Sequence, residues 1–393
     1  MTTIVKAAPR GAGPGLAKLR VLVILPDPAA LGEPAIRTEI AALEAGHEVA
    51  VLTRSAPAPK ADPDTEFARV LAEVAAFAPE VLHAHGLGQS GFVTRLAAAA
   101  DLPFTLRAHA RDCAPLRPPR MGERMLRLLR RVPAPPPSQD LAAALRATAD
   151  ERCLGLLALP FARPWLLRAG VVEGKLVDCF PALDFAAFHD LSPNGEAVMH
   201  IGAGGGSKPV PDILRLAAKV PGRSFTHYGE VNAARAMQLA AGLAIAGPVA
   251  PEAMPAEYKK HRWLVHTGDA DSAVHDWPLA IAEAQAAGVG VCLPNSRPDL
   301  LRFVGEGAGI LYETIDELPA IVSGPLPEEM RERGFAQARK SDIAAHLPLL
   351  TDLWADALAG RAPRPEPVQA AAVPESAAPR PLPSPAPGLA STA

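Results

Sequence analysis

Cysteine is scarce in this 393-residue chain: Cys113, Cys153, Cys179 and Cys292 are scattered, with no C-x-x-C pair. That pattern excludes a disulfide scaffold and the common zinc frameworks. Cys153, Cys179 and Cys292 lie in apolar runs and read as reduced core thiols, and nothing beside Cys113 argues for a nucleophile. An excess of one charge sign is also lacking. Lys and Arg number 39 against 42 Asp and Glu, a formal net charge of −3, so the chain carries no nucleic-acid footprint. No apolar run approaches the ~20 residues of a membrane-spanning helix. The first such run, Val21 to Leu25, has strand length and no signal-peptide character. A cytoplasmic location is the expectation. Short repeats are missing as well; the only internal symmetry is two successive α/β halves.

What is present in quantity is proline, 43 residues, and its placement separates packed from unpacked chain. The length suits two domains. Residues 1–18 are Gly, Ala and Pro-rich and read as a flexible N-terminus. Residues 19–182 read as a first Rossmann-like domain, 183–195 as the interdomain linker and 196–340 as a second Rossmann-like domain. Residues 341–360 read as a C-terminal helix packing back on the first domain, and the segment Glu328 to Leu358 as helical. From 361 to 393 the Pro and Ala content predicts a disordered tail. The alternation is regular. An apolar strand from Arg20 leads through Gly32 and Glu33 into a helix from Ala35 to Ala45, and a second strand follows Gly46. This is a βαβ unit whose first loop points at a helix N-terminus, where backbone N–H groups favour anions.

Three stretches carry candidate chemistry. Two strands, Val81 to Gly86 and Pro103 to Asp112, end in His83, His85 and His109, with Arg107 nearby. They form either a polar pocket wall or a set of satisfied core histidines; H-x-H without a third ligand at fixed spacing is thin evidence for zinc. In the second half, a strand runs into Ala203-Gly204-Gly205-Gly206-Ser207-Lys208 and then a helix. Glycines that admit an anion and a lysine that supplies charge make a phosphate cradle, though the spacing is not that of a Walker motif. The alternative is a plain turn with a surface lysine. The third stretch, His275-Asp276-Trp277-Pro278 followed by Leu279 to Gly288, is a loop, a proline helix start, and an apolar helix carrying one carboxylate, Glu283. Glu283 reads as a ligand-binding carboxylate or as a surface residue on an amphipathic turn. The arginines between Arg117 and Arg131 mark either a basic helix touching a membrane surface or a solvated face.

Taken together, Arg20 to Ala359 resembles the family 4 retaining glycosyltransferases. The resemblance is carried by Pro79 to His109, Gly247 to Tyr258 and Trp277 to Gly288. It implies the GT-B architecture: an α/β fold of two Rossmann-like domains facing across a cleft, with a C-terminal helix crossing back. By that resemblance His109 matches the active-site histidine, and Gly204, Gly205 and Lys208 the diphosphate site. Glu283 matches the carboxylate that binds the donor ribose. Gly32 and Glu33 match the loop facing diphosphate and acceptor, with His85 and Arg107 as auxiliary groups. The sequence departs from the family at two places. His275 stands where a first glutamate contacts the donor sugar, with Asp276 beside it as the substitute. The arginine that accompanies Lys208 is missing, a loss of roughly 2–4 kcal/mol of transition-state stabilisation for which Arg107 or Arg302 are the alternative cations.

The resemblance implies transfer of a hexose from a nucleotide-diphosphate sugar to a glycan or lipid-linked acceptor in surface polysaccharide synthesis. Anomeric configuration is retained and neither cofactor nor metal is required. The location implied is cytoplasmic, with peripheral contact at the inner membrane. The rival readings are a nucleotide-sugar 2-epimerase and a catalytically degenerate binding module.

Overall fold

The computed structural model describes residues 3–6, 18–54, 62–113, 116, 139–202, 210–229, 243–267, 279–295 and 300–359. Among them the chain forms two sheets, one in each half. The first comprises β1 (Thr3–Lys6), β2 (Arg20–Leu25), β3 (Glu48–Thr53), β4 (Val81–His85), β5 (Phe104–Arg107), β6 (Cys153–Ala158) and β7 (Leu176–Asp178). Its order is β1-β3-β2-β4-β5-β6-β7. All neighbours are parallel except the β1–β3 edge pair. The second comprises β8 (Ala197–Ile201), β9 (Phe225–Tyr228), β10 (Ala244–Gly247), β11 (His261–Val265), β12 (Gly290–Pro294) and β13 (Ile310–Tyr312). It is parallel throughout, in the order β10-β9-β8-β11-β12-β13.

The strands lack polar alternation because both sheet faces are covered. In β2, Leu22 and Ile24 join a core cluster with Phe77 and Val93, while Val21, Val23 and Leu25 point the other way onto Ile36, Leu43 and Trp354. The larger cluster runs on into the second half through Tyr258, Leu264 and Ile281. The strand order reverses between β2 and β4 in the first sheet and between β8 and β11 in the second. Open α/β sheets take their ligands outside the strand ends at such reversals. This is the two-sheet GT-B architecture.

One expectation is corrected, and one helical stretch is resolved into parts. Thr3–Lys6 is not featureless: it pairs antiparallel with Glu48–Thr53. Its signal, three β-branched residues in a row, is too short to register against the Gly and Pro that follow it. The stretch from Glu328 to Leu358 is two helices, Glu328–Ala338 and Ile343–Leu358. The break exists because the chain is pinned there: Leu183 N–H donates to the Ser341 carbonyl and Ile343 N–H to the Leu183 carbonyl, both at 2.8 Å. Asp342 then caps the second helix, accepting from Ala344 N–H at 3.0 Å. Both chain crossings between the halves are thus tied to each other.

The last helix belongs to the first half. Its Trp354 is fully buried and donates through Nε1 to Thr105 Oγ1 on β5 at 3.2 Å. Trp354→Ala is expected to cost about 3–5 kcal/mol, read as a lower denaturant midpoint. Leu349→Ala, on the exposed side of the same helix, stays within about 0.5 kcal/mol of wild type. Equal effects would show that the helix is not part of the core.

Candidate functional site

One helix, Pro34–Gly46, organises the site because its two faces do different work. It begins at Glu33, whose extended backbone (φ −72, ψ 121) leads into Pro34 at the first helical position; no side chain caps it. One stripe, Pro34, Arg37, Thr38, Ala41 and Ala42, lines a cleft of about 920 Å³ between the halves. Those positions recur at the three- and four-residue spacing of a single helix face. The opposite stripe, Ile36, Glu39, Ile40 and Leu43, is buried.

Across the cleft stand Val249, Met254 and Leu279 of the second half, with Leu183 and Phe188 of the crossover between them. Glu283 shares that wall. It sits half-buried on the helix Leu279–Ala286, which ends at Gly288 with φ +75. The positive φ favours glycine there, and a Cβ would come within 2.7 Å of Arg331 Nε, so that side chain would have to shift. Buried Tyr258 donates its hydroxyl to Glu283 Oε2 at 2.8 Å. Burial pushes the Glu283 carboxyl up to about 7, against the smaller opposing effect of that hydrogen bond. The same burial, with Glu283 beside it, holds the Tyr258 hydroxyl well above its ordinary value. Glu283 is therefore an acceptor fixed in orientation, poised between neutral and charged forms, at the rim of an apolar cleft. It would take hydroxyl donors.

Behind the helix lies a buried charge network. Glu39 Oε2 is 2.5 Å from Arg107 Nη1, and Glu39 Oε1 is 2.8 Å from His83 Nε2 and 3.5 Å from His85 Nε2. Burial raises the Glu39 carboxyl, but Arg107, with His83 and His85, outweighs it and holds the group far below the usual carboxylate range. Arg107 Nη2 also donates to the Phe180 carbonyl at 2.7 Å. His83 Nδ1 meets Thr105 Oγ1 at 2.8 Å, the hydroxyl that Trp354 also reaches. His85 Nδ1 lies 3.3 Å from His109 Nε2, with the two rings stacked. His109 itself is half-buried just beyond β5, its backbone N–H donating to Asp112 Oδ2 at 2.7 Å.

The structure thus gathers His85, Arg107 and His109 into one cluster. It places Glu283 on the far side of the Pro34–Gly46 helix from them. Gly32 is exposed, and a Cβ there would meet open space; the cleft wall starts two residues later, at Pro34. Arg107 cannot stand in for a missing diphosphate cation, because its guanidinium is buried on Glu39 and Phe180. Arg302 is exposed on the short helix Leu301–Val304, away from the cleft wall. Gly204, Gly205, Lys208, His275 and Asp276 lie outside the described residues, as do the arginines between 117 and 131 and the tail from 360. In sequence, the first three follow β8 and the other two follow β11, the two strands at the reversal of the second sheet.

Three residues carry weight that sequence reasoning did not assign. Glu39 reads as one more polar position in an amphipathic helix. Tyr258 gives no sign of its partner. Arg37 faces the cleft with a buried Nε that has no hydrogen-bond partner among the described residues; its spacing from Pro34 and Ala41 is the one available clue. Glu39, His83 and His85 form a group with metal-ligand spacing, their ligand atoms within 4.8 Å of one another. Arg107 on the second carboxylate oxygen already supplies the charge a cation would bring, so the Glu39 charge is compensated, while buried His85 Nε2 has no hydrogen-bond partner among the described residues. No described helix is long and apolar enough to cross a membrane.

No family model matches the chain and no curated protein matches it by sequence. Solved structures do match. Anabaena HepE in complex with UDP shares 13% identity at a TM-score of 0.61, over 86% of this chain and 100% of that one. A glycosyltransferase from Rickettsia africae shares 12% at 0.62, over 88% and 100%. A putative UDP-N-acetylglucosamine 2-epimerase from Listeria monocytogenes shares 13% at 0.55, over 89% and 99%. At these identities the likeness is one of fold.

The Glu283 environment predicts a pH effect on stability. The folded state keeps its proton up to about pH 7, whereas the ordinary value is 4.5. Ionisation therefore opposes folding, and stability falls as pH rises between those values and stays lower above them. Glu283→Gln keeps an acceptor for Tyr258 without the charge. It raises the melting temperature at pH 8 and leaves it unchanged at pH 4; equal shifts at both pH values would contradict this origin.

Proposed function

We propose that the protein is a glycosyltransferase that moves a hexose from a nucleoside-diphosphate sugar to a glycan or lipid-linked acceptor. The observation that carries the reading is Glu283: an oriented carboxyl at the wall of a cleft lined from both α/β halves. A carboxyl there suits the vicinal hydroxyls of a ribose, and the apolar wall of Val249, Met254 and Leu279 suits the flat face of a base. The fold shared with HepE, which binds UDP and UDP-glucose, supports a uridine nucleotide as the first donor to try.

In this reading the diphosphate lies on Gly204 to Lys208, at the strand reversal of the second sheet. Lys208 and backbone N–H groups stabilise the charge that develops on the leaving diphosphate, which is the main catalytic effect. Asp276, beside His275, takes the sugar hydroxyls that a first glutamate would take. The acceptor approaches from Gly32 and Glu33, and His109 orients the sugar or acceptor hydroxyl. Closing the two halves excludes water that would otherwise hydrolyse the donor. The family 4 resemblance adds retention of anomeric configuration and a role in surface polysaccharide synthesis from the cytoplasmic side, with the basic stretch from Arg117 to Arg131 touching the membrane.

The epimerase reading has a structural neighbour of its own, and one assay separates the two. Incubated with UDP-glucose and related donors, the protein is expected to release nucleoside diphosphate and leave the remaining donor unepimerised. An epimerised donor would establish the rival, and no turnover with any nucleotide sugar would leave a binding module. Glu283→Ala and Lys208→Ala should each weaken donor binding by roughly ten- to a hundredfold, the loss of one charged hydrogen bond, by calorimetry. Unchanged affinity in both would remove the assignment.

A further inference from the structure

The contacts around Glu39 decide more than packing. A carboxylate held ionised accepts hydrogen bonds and cannot donate them. Its Oε1 faces two imidazoles, His83 Nε2 at 2.8 Å and His85 Nε2 at 3.5 Å. The second distance is long for a hydrogen bond, yet close enough for the charge to choose which ring nitrogen of His85 carries the proton. A lone pair on His85 Nε2 would face the carboxylate inside a dry core, where such a clash is expensive. The ring is fully buried, and burial holds it neutral, well below its ordinary value. One proton is therefore available, and it belongs on Nε2. That leaves Nδ1 as a lone pair, 3.3 Å from His109 Nε2. An acceptor there needs a donor, so His109 must bring N–H.

We infer that Glu39 and His85 are positioning residues that hold a ring proton of His109 on Nε2, aimed at His85 Nδ1. The direction of the relay is Glu39, His85, His109, anchored on the far side by Arg107. The His109 ring is thereby held in one orientation, the one in which it would meet a sugar or acceptor hydroxyl; that consequence rests on the glycosyl-transfer reading, and the proton assignment does not.

The test is nuclear magnetic resonance of the full chain labelled with ¹⁵N-histidine, without any ligand, with His109→Gln used to assign the ring signals. At pH 8 the His109 Nε2 proton is expected to be visible and slow to exchange with water. In Glu39→Gln, the amide oxygen stays on Arg107 and its NH₂ turns to the imidazoles. His85 then carries its proton on Nδ1, and His109 shifts to the Nδ1–H form. Should that variant fail to fold, His85→Phe serves: the His109 Nε2 proton loses its acceptor and exchanges into solvent. A wild-type His109 with its proton on Nδ1 and none on Nε2 overturns the inference. So does a protected Nε2 proton that persists unchanged in folded Glu39→Gln or in His85→Phe. Because no donor is present, a protein that shows the expected proton yet never turns over a nucleotide sugar would refute the transferase reading alone.

Discussion

The buried pair between Glu39 and Arg107 is the constraint on which the rest depends. It joins the helix that walls the cleft to a central strand of the first sheet. Through the Phe180 carbonyl it also reaches the start of the crossover between the halves. Removing either partner would strand a charge in the core, a loss of about 3–5 kcal/mol. Such a pair contributes little net stability compared with apolar groups of the same size. What it does here is geometric. It sets how the Pro34–Gly46 helix lies on the sheet, and therefore where Arg37 and Thr38 enter the cleft and how His85 meets His109.

The second half repeats the device with a different outcome. Glu283 also sits on a helix against a parallel sheet, but its partner is a phenol rather than a guanidinium. A neutral donor orients the carboxyl without compensating its burial, so the group is pushed up while Glu39 is pulled down. One acid is permanently ionised and internal. The other is poised and faces the cleft. That division follows from one choice of partner in each half: a guanidinium that compensates the buried charge, and a phenol that does not.

Much of this was legible in the sequence, for stated reasons. The strands declared themselves because a sheet covered on both faces leaves no polar alternation, as in Val21 to Leu25 and Val289 to Leu293. The helix ending at Gly288 was readable because the positive φ there favours glycine. The edge strand Thr3–Lys6 was not readable, since a lone edge pairing of four residues carries no period. The break before Ile343 lies beside the boundary drawn at 341, but its cause, the hydrogen bonds between the two crossings at Leu183, could not be read from sequence. Glu283 could be singled out as a carboxylate on an apolar helix, but Tyr258 as its partner could not. The most consequential residue, Glu39, was hidden. Its partners come from two other strands, and helix periodicity records that a face is buried without saying what an acid on that face meets.

The most direct test of the central claim, that the cleft between the halves is where a nucleotide sugar binds, is hydrogen–deuterium exchange with and without UDP-glucose. The account predicts slowed exchange on both walls at once, in the backbone of residues 34–42 and of residues 279–286, with the outer strand Leu176–Asp178 unaffected. Protection on neither wall, or confined to a surface away from the cleft, would contradict it.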